Sequence, residues 1–340
     1  MKILLTFDSG YAPHAATVME SIIQNCPEKL DFAVIYYNLD AEIQDAFHRH
    51  FINRVNSINF YEADVTRFKN VKSFPHITNP INVILRLLAP FLLPESDEYV
   101  LYLDCDTIVE DNILKLLDGA DLSKPVCAAT EYNPNYKLRK LLNLKPIEIS
   151  AMNTMIYDAY WYRTYLDLEI PLQNKYFCAA VLLINLQYWR FYKISEQAIE
   201  FILKYPERAF AADQDALNSV IKGDFYELHP RWNFMYQRIY SGYSVEALRE
   251  ASTNPSVTHF KGWNYMSPEA IKKKYVKYRQ CTMYPTITYK DKTLKNIIKK
   301  TLNILFGKIA NFLSQRNIIK SPSLVGQESF FATARLREKV

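Results

Sequence analysis

Glycine is scarce: only 7 of the 340 residues are Gly. The chain therefore has little material for a glycine-rich phosphate cradle. The first strand-like run and its continuation, "LLTFDSGYAPHA", does not supply the L-x-x-G-x-G loop of a sugar nucleotidyltransferase. Cysteine is sparse too. Cys26, Cys105, Cys127, Cys178 and Cys281 are odd in number and widely spaced, with no CxxC pair. That excludes a disulfide framework and a zinc ribbon and fits a reducing cytosol. Long apolar runs are missing. "ILRLLAPFLL" and "AAVLLI" fall well short of the roughly 20 residues a membrane-spanning helix requires. At the start, "MKILLTF" meets Asp8 too early to serve as a secretory signal, so the expectation is a cytoplasmic protein.

What is present is ample core material. Hydrophobic residues make up 49% of the chain, enough for one large domain with an appendage, or for two domains. The net charge of +5 conceals a split. Residues 261–320 hold 14 Lys and Arg against two acids, Glu269 and Asp291, whereas residues 1–260 hold 24 basic and 32 acidic residues. An acidic body with a basic tail suggests two tasks in one chain. The acidic body argues against nucleic acid as a partner.

Short β-rich runs alternate with helical patterns. "KILLTF", "DFAVIYYNL" and "INFYEAD" read as strands, separated by helices over "HAATVMESIIQNC" and "AEIQDAFHRHF". In "TNPINVILRLLAPFLLP", Asn79 is placed to cap a helix that Pro80 starts. Further strands follow in "YVLYLDCDTIV", "PVCAATEY", "YFCAAVLLINL", "GDFYELH" and "SVTHFK". "ADQDALNSVIKG" and the stretch opening at Ser267-Pro268-Glu269 read as helices. This alternation predicts an α/β protein with a mainly parallel, Rossmann-like sheet covered by helices on both faces.

"YVLYLDCDTIV" carries the chemistry. Residues i and i+2 of an extended chain share a face, so Asp104 and Asp106 are expected to converge while Cys105 points away. Two carboxylates crowded at a sheet rim repel one another. A hard divalent cation such as Mg²⁺ or Mn²⁺ relieves that and bridges to substrate phosphates. The carboxyl ends of the strands in an open α/β sheet are also where ligands bind.

This stretch resembles the D-x-D strand of glycosyltransferase family 8, whose members have the GT-A fold. They move a hexose from a UDP-sugar with retention of configuration, and include bacterial lipopolysaccharide galactosyl- and glucosyltransferases and glycogenin. The resemblance extends over about the first 265 residues through several motifs in order. It implies that "TFDSGYA" holds uracil and ribose through Asp8 and Tyr11, and that Arg86 in "ILRLLAPFLLP" contacts donor oxygens. Glu131 in "ATEY" stands where relatives carry Asp, facing the donor sugar. "ADQDALN" matches the family's D-Q-D helix start, with Asp213 holding sugar hydroxyls and Gln214 near the anomeric carbon. "VTHFKGWNYMSPE" supplies His259 as third metal ligand, which favours Mn²⁺ over Mg²⁺. Gly262 lets the backbone approach the diphosphate, with Lys261 beside it.

Three further positions depart from the pattern. Cys178 replaces an Asn and Ala180 a Gly in "YFCAAV", and Tyr265 replaces a Lys after Gly262. A thiol is a weak hydrogen-bonding group beside an amide. "RWNFMY" resembles a family segment expected in the core or the acceptor-side wall. The Tyr- and Trp-rich segment 131–176 suits a cover over the donor and a pocket for the acceptor. In "KTLKNIIKKTLNILFGKIANFL", apolar residues recur every three or four positions among lysines, the pattern of a basic amphipathic helix for an anionic membrane surface.

The expected layout is a GT-A catalytic domain over 1–266, a basic amphipathic helical region over 267–320 and a loose tail over 321–340. The expected activity is retaining, Mn²⁺-dependent transfer of galactose or glucose from UDP-galactose or UDP-glucose to lipopolysaccharide or another lipid-linked oligosaccharide. The expected location is the inner face of the cell membrane. The rival readings are a catalytically silent UDP-sugar-binding relative and a nucleotidyltransferase of similar fold.

Overall fold

A computed structural model describes residues 1–68, 80–130, 175–206, 209, 211–235, 243–259 and 269–286. The first half alternates as read: β1 (Lys2–Phe7), α1 (Ala12–Asn25), β2 (Asp31–Tyr36), α2 (Ala41–Phe51) and β3 (Ser57–Glu62). Then come α3 (Pro80–Ile84), a 3-10 stretch (Leu85–Leu88), α4 (Ala89–Leu92), β4 (Tyr99–Leu103), β5 (Thr107–Val109) and β6 (Val126–Thr130). The rest is β7 (Phe177–Asn185), α5 (Leu186–Phe191), α6 (Ile194–Lys204), α7 (Asp213–Ile221), β8 (Tyr226–Glu227), α8 (Val245–Thr253), β9 (Val257–His259) and α9 (Glu269–Arg279).

The main sheet has seven strands in the order β3-β2-β1-β4-β7-β6-β8. β7 runs against both its neighbours and the other six strands are parallel to one another. The strands read as unbroken apolar runs because both sheet faces are covered. One face packs Phe47, Phe51 and Met19 of α2 and α1 against Leu5 and Leu103. The other packs Trp189, Ile199 and Leu217 of α5, α6 and α7 against Tyr102 and Leu182.

Two local departures from regularity build the site. The first is that "YVLYLDCDTIV" is not one strand. It breaks after Leu103 into a turn, and β5 leaves the main sheet to pair antiparallel with β9, setting Thr107 opposite His259. The second is in β7. Its register against β6 jumps from Ala128 opposite Leu182 to Thr130 opposite Phe177, so two steps along β6 match five along β7. The surplus bulges out of β7 at residues 178–181 and withdraws them from regular pairing with β6, while Val181 stays paired with Leu103 of β4.

α9, read from sequence as the start of the appendage, lies against α1 and β5. Ile271, Tyr275 and Tyr278 close a small core over Ile108. Burying three such side chains contributes on the order of 5 kcal/mol before ordering costs. Asn25 Nδ2 donates to Tyr278 Oη at 2.9 Å, and Lys274 pairs with Glu110. No helix among the described residues is long and apolar enough to cross a membrane.

Candidate active site

Asp104 and Asp106 converge, but through the turn after β4 rather than through strand pleat. The Asp104 N–H donates to the Ala180 carbonyl of β7 at 2.8 Å, which carries the β4–β7 register one residue past β4 to the point where the chain turns. Thr107 Oγ1 then donates to the Asp104 carbonyl at 2.8 Å and closes the turn. Cys105 points into the core, as its position between the two acids implied. β9 delivers His259 to the same spot, with Nε2 3.3 Å from Asp106 Oδ1. One ligand atom from each of Asp104, Asp106 and His259 lies within 4.8 Å of the others. Two carboxylate oxygens and one imidazole nitrogen at this spacing are a donor set that fits a divalent cation. Burial disfavours charge on His259, but Asp106 outweighs that and raises its imidazole to about 10.

Arg86 organises the other half. It is 5% exposed, on the 3-10 stretch before α4. Its Nη2 lies 3.0 Å from Asp104 Oδ1 and its Nε 2.9 Å from Asp213 Oδ2, while Nη1 donates to the Ala179 carbonyl of the bulge. Its guanidinium sits 4.2 Å from the centre of the Tyr102 ring. One cation thus serves two acids from distant parts of the chain. Burial depresses charge on Arg86, and Asp104 and Asp213 more than restore it, so it stays protonated. Asp213 is less well served. Burial raises its carboxyl to about 7 despite Arg86, with Asp104 adding repulsion.

Asp213 opens α7, as the D-Q-D reading placed it. The residue before it, Ala212, takes φ 51° and ψ −117°, a conformation that only Gly adopts without strain. Gln214 is held at both ends of its amide. Its Oε1 accepts from the Ala179 N–H at 2.9 Å and its Nε2 donates to Tyr176 Oη at 2.8 Å. Asn218, one turn on, exchanges two 2.9 Å bonds with the Phe177 backbone. The β7 bulge is thereby tied to Arg86, Asp104 and Gln214 through main-chain atoms.

The β1–α1 loop forms the rim. Asp8 Oδ1 accepts from the Tyr11 N–H at 3.0 Å and Oδ2 from Asn82 Nδ2 at 2.5 Å. Tyr11 is 50% exposed, and burial of the rest, with Asp106, Cys105, Asp104 and Asp8 nearby, pushes its phenol up. Cys178 is buried beside His259, in an apolar cluster with Ala180, Phe234, Met235 and Leu248. That cluster puts the "RWNFMY" segment in the core as far as Met235.

The structure therefore brings together Asp8, Tyr11, Arg86, Asp104, Asp106, Cys178, Asp213, Gln214 and His259. Glu131, Lys261, Gly262 and Tyr265 lie outside the described residues, as do the aromatic segment up to 174 and everything after 286. Four contributors went unread in the sequence, although spacing could have found three. Tyr102 is two residues before Asp104 on the same strand face and donates to it at 2.6 Å. Asn82 is four before Arg86, and Asn218 four after Gln214, both at helical spacing. Only Tyr176 carried no such signal.

A profile described as glycosyl transferase family 8 matches residues 2–267. General stress protein A of Bacillus subtilis is 26% identical over 304 residues, covering 84% of this chain and 96% of that one. A putative glycosyltransferase of Haemophilus influenzae is 27% identical over 240 residues, 69% of this chain and 63% of its own length. Among solved structures, the galactosyltransferase LgtC in complex with donor and acceptor sugar analogs superimposes with a TM-score of 0.63 at 22% identity. That match covers 85% of this chain and 98% of LgtC. At that identity the likeness establishes the GT-A-like fold.

Proposed function

From the premise that this chain belongs to glycosyl transferase family 8, we propose that it transfers a hexose, galactose or glucose, from its UDP-sugar to a glycan hydroxyl with retention of configuration. The observation that carries this reading is the meeting of Asp104, Asp106 and His259 within 4.8 Å, next to the Asp213-Gln214 helix start.

Asp104, Asp106 and His259 would hold Mn²⁺, which supplies Lewis-acid stabilisation of the leaving diphosphate. Arg86 fixes Asp104 in place, so that the carboxylate keeps one orientation through turnover. Asp213 faces the sugar hydroxyls as an acceptor when ionised, and its raised pKa sets the pH at which it does so. Gln214 is a poor nucleophile, and both ends of its amide are already bonded, which favours same-face attack by the acceptor over a covalent glycosyl-enzyme. Tyr11 and Asp8 receive uracil and ribose at the rim. Segment 131–174 covers the donor, and Glu131, Lys261 and Gly262 complete the sugar and diphosphate contacts. A lipid-linked oligosaccharide, lipopolysaccharide among them, is the acceptor. The basic segment 292–313 rests on the anionic inner face of the membrane, each Lys near it adding about 1 kcal/mol.

The test is UDP release from UDP-galactose and UDP-glucose with and without Mn²⁺, beside calorimetric binding of UDP. Asp106→Asn is expected to weaken Mn²⁺-dependent UDP binding at least about 100-fold, more than loss of an outer partner costs a metal site. Unchanged affinity would remove the metal reading. Tight UDP binding without turnover of any UDP-hexose would instead favour a silent relative.

A further inference from the structure

We propose that Tyr275 of α9 is a positioning residue for the nucleotide: acting through His14, it holds the Tyr11 ring as the wall against which the base lies. This rests on the reading of Tyr11 as the base-binding residue and adds to it an element from beyond residue 267, where the family match ends.

Three side chains form a continuous row of tilted rings. Tyr275 Oη is 2.9 Å from His14 Nδ1. The His14 ring lies between the other two, its centre 5.9 Å from the Tyr275 ring and 5.4 Å from the Tyr11 ring. Tyr275 is buried in the α9 core with Ile108, Ile271 and Tyr278, so its hydroxyl is a fixed point. Tyr11 is at the free end, half exposed on the rim and facing the Asp104–Asp106 turn. Its backbone is pinned by Asp8, but its ring depends on what lies behind it. His14 is what lies behind it. Burial, with Arg279 nearby, lowers the His14 imidazole to about 3, so the ring is neutral at working pH, and either tautomer keeps the bond to the Tyr275 phenol.

An exposed ring pre-ordered by a buried anchor binds a flat base with less loss of freedom than a ring that swings. A single intramolecular hydrogen bond such as that between Tyr275 and His14 carries about a two- to tenfold effect, which sets the size expected here.

The test compares the full chain with Tyr275→Phe, which deletes one oxygen and keeps the ring in its core. UDP and inorganic pyrophosphate are each titrated in MnCl₂, and UDP-sugar hydrolysis is followed at varied donor. The expected result is about a three- to tenfold weaker Kd for UDP and a matching rise in donor KM, with kcat and pyrophosphate binding unchanged. His14→Phe keeps a ring behind Tyr11 but cannot bond Tyr275, and is expected to repeat the effect if Tyr275→Phe fails to fold. UDP affinity unchanged in both variants overturns the proposal, and so does an equal loss for UDP and pyrophosphate. If the unaltered chain binds pyrophosphate with Mn²⁺ but shows no gain from the base of UDP, the reading of Tyr11 itself falls.

Discussion

Replacing Arg86 by Met tests the electrostatic core of the site. The wild-type guanidinium is buried, lies 3.0 Å from Asp104 and 2.9 Å from Asp213, and also takes the Ala179 carbonyl. Methionine fills much of the stem volume but leaves two acids and a carbonyl without their cation. Breaking a buried pair from one side costs about 3–5 kcal/mol, or roughly 6–20 °C in Tm at about 2–4 °C per kcal/mol. The pH profile gives a sharper test. Asp213 titrates at about 7 in the folded protein against 3.8 for an ordinary Asp, so the folded state binds the extra proton between those values. Stability contributed by that proton is full below 3.8 and is lost as pH rises, flattening above about 7. Without Arg86 the folded value moves higher still. The Asp213 decline then continues above pH 7 at up to about 1.4 kcal/mol per pH unit, on top of the decline that both proteins share as His259, raised to about 10, gives up its proton. Thermal melts of both proteins in metal-free buffer from pH 5 to 9 measure this directly. Parallel profiles above pH 7, or a Tm loss under about 2 °C, would refute the shared-cation account. Arg86→Lys keeps the charge without the fork and should fall between.

Other consequences are simpler. Ala212→Gly should raise Tm by a few degrees, because φ 51° with ψ −117° costs Ala on the order of 1–3 kcal/mol that Gly avoids; an unchanged melt in differential scanning fluorimetry would show that the backbone carries no such strain. Arg54→Met takes two 2.8 Å bonds from Glu20, which is buried and keeps the 2.7 Å bond from Gln24 Nε2. The half-exposed Arg limits the loss to about 2 kcal/mol, read as a lower urea midpoint at constant m. Deleting the residues after 290 should free the protein from anionic vesicles in a sedimentation assay while UDP-sugar hydrolysis persists. A truncated chain that still pellets with lipid would place the membrane contact elsewhere.

Much of the frame was readable because period and punctuation agree with the physics. β1, β2 and β4 are buried on both faces and read as apolar runs, and α2 carries an amphipathic stripe that buries Phe47 and Phe51. What escaped reading depends on contacts distant in sequence. "YVLYLDCDTIV" looks like a single strand, since nothing within it shows that Thr107–Val109 will leave the main sheet to pair with Val257–His259, far along the chain. "GDFYELH" contributes only Tyr226–Glu227 as a strand, since β6 offers it just two register positions at the sheet edge. The bulge in β7 is invisible for the same reason: eight consecutive apolar residues predict pairing but not where it slips. The metal-ligand trio was legible as types and order, and its geometry followed once β5 paired with β9. The Tyr275–His14–Tyr11 row was not legible, because helical spacing in α9 says nothing of which helix it will meet.

The departures at Cys178 and Ala180 bear on whether the protein turns over its donor. Both side chains fall within the β7 bulge; the Cys178 thiol meets His259, and the contacts to Gln214, Arg86 and Asp104 run through the main chain. The Ala179 N–H meets Gln214, the Ala179 carbonyl meets Arg86 and the Ala180 carbonyl meets Asp104. A side-chain change at 178 or 180 leaves all three in place, whereas a change at Arg86 or Gln214 could not. The Cys178 thiol packs instead with Phe234, Met235 and Leu248 and lies beside His259. Drift toward silence has no reason to spare a strained Ala212, a buried ion pair and a convergent acid pair, each of which carries a stability cost that only use of the site offsets. Under the proposed transfer activity, substitution at 178 with retention of those features fits an altered preference among sugars better than a lost reaction, because the main-chain contacts to Gln214, Arg86 and Asp104 stay where they are.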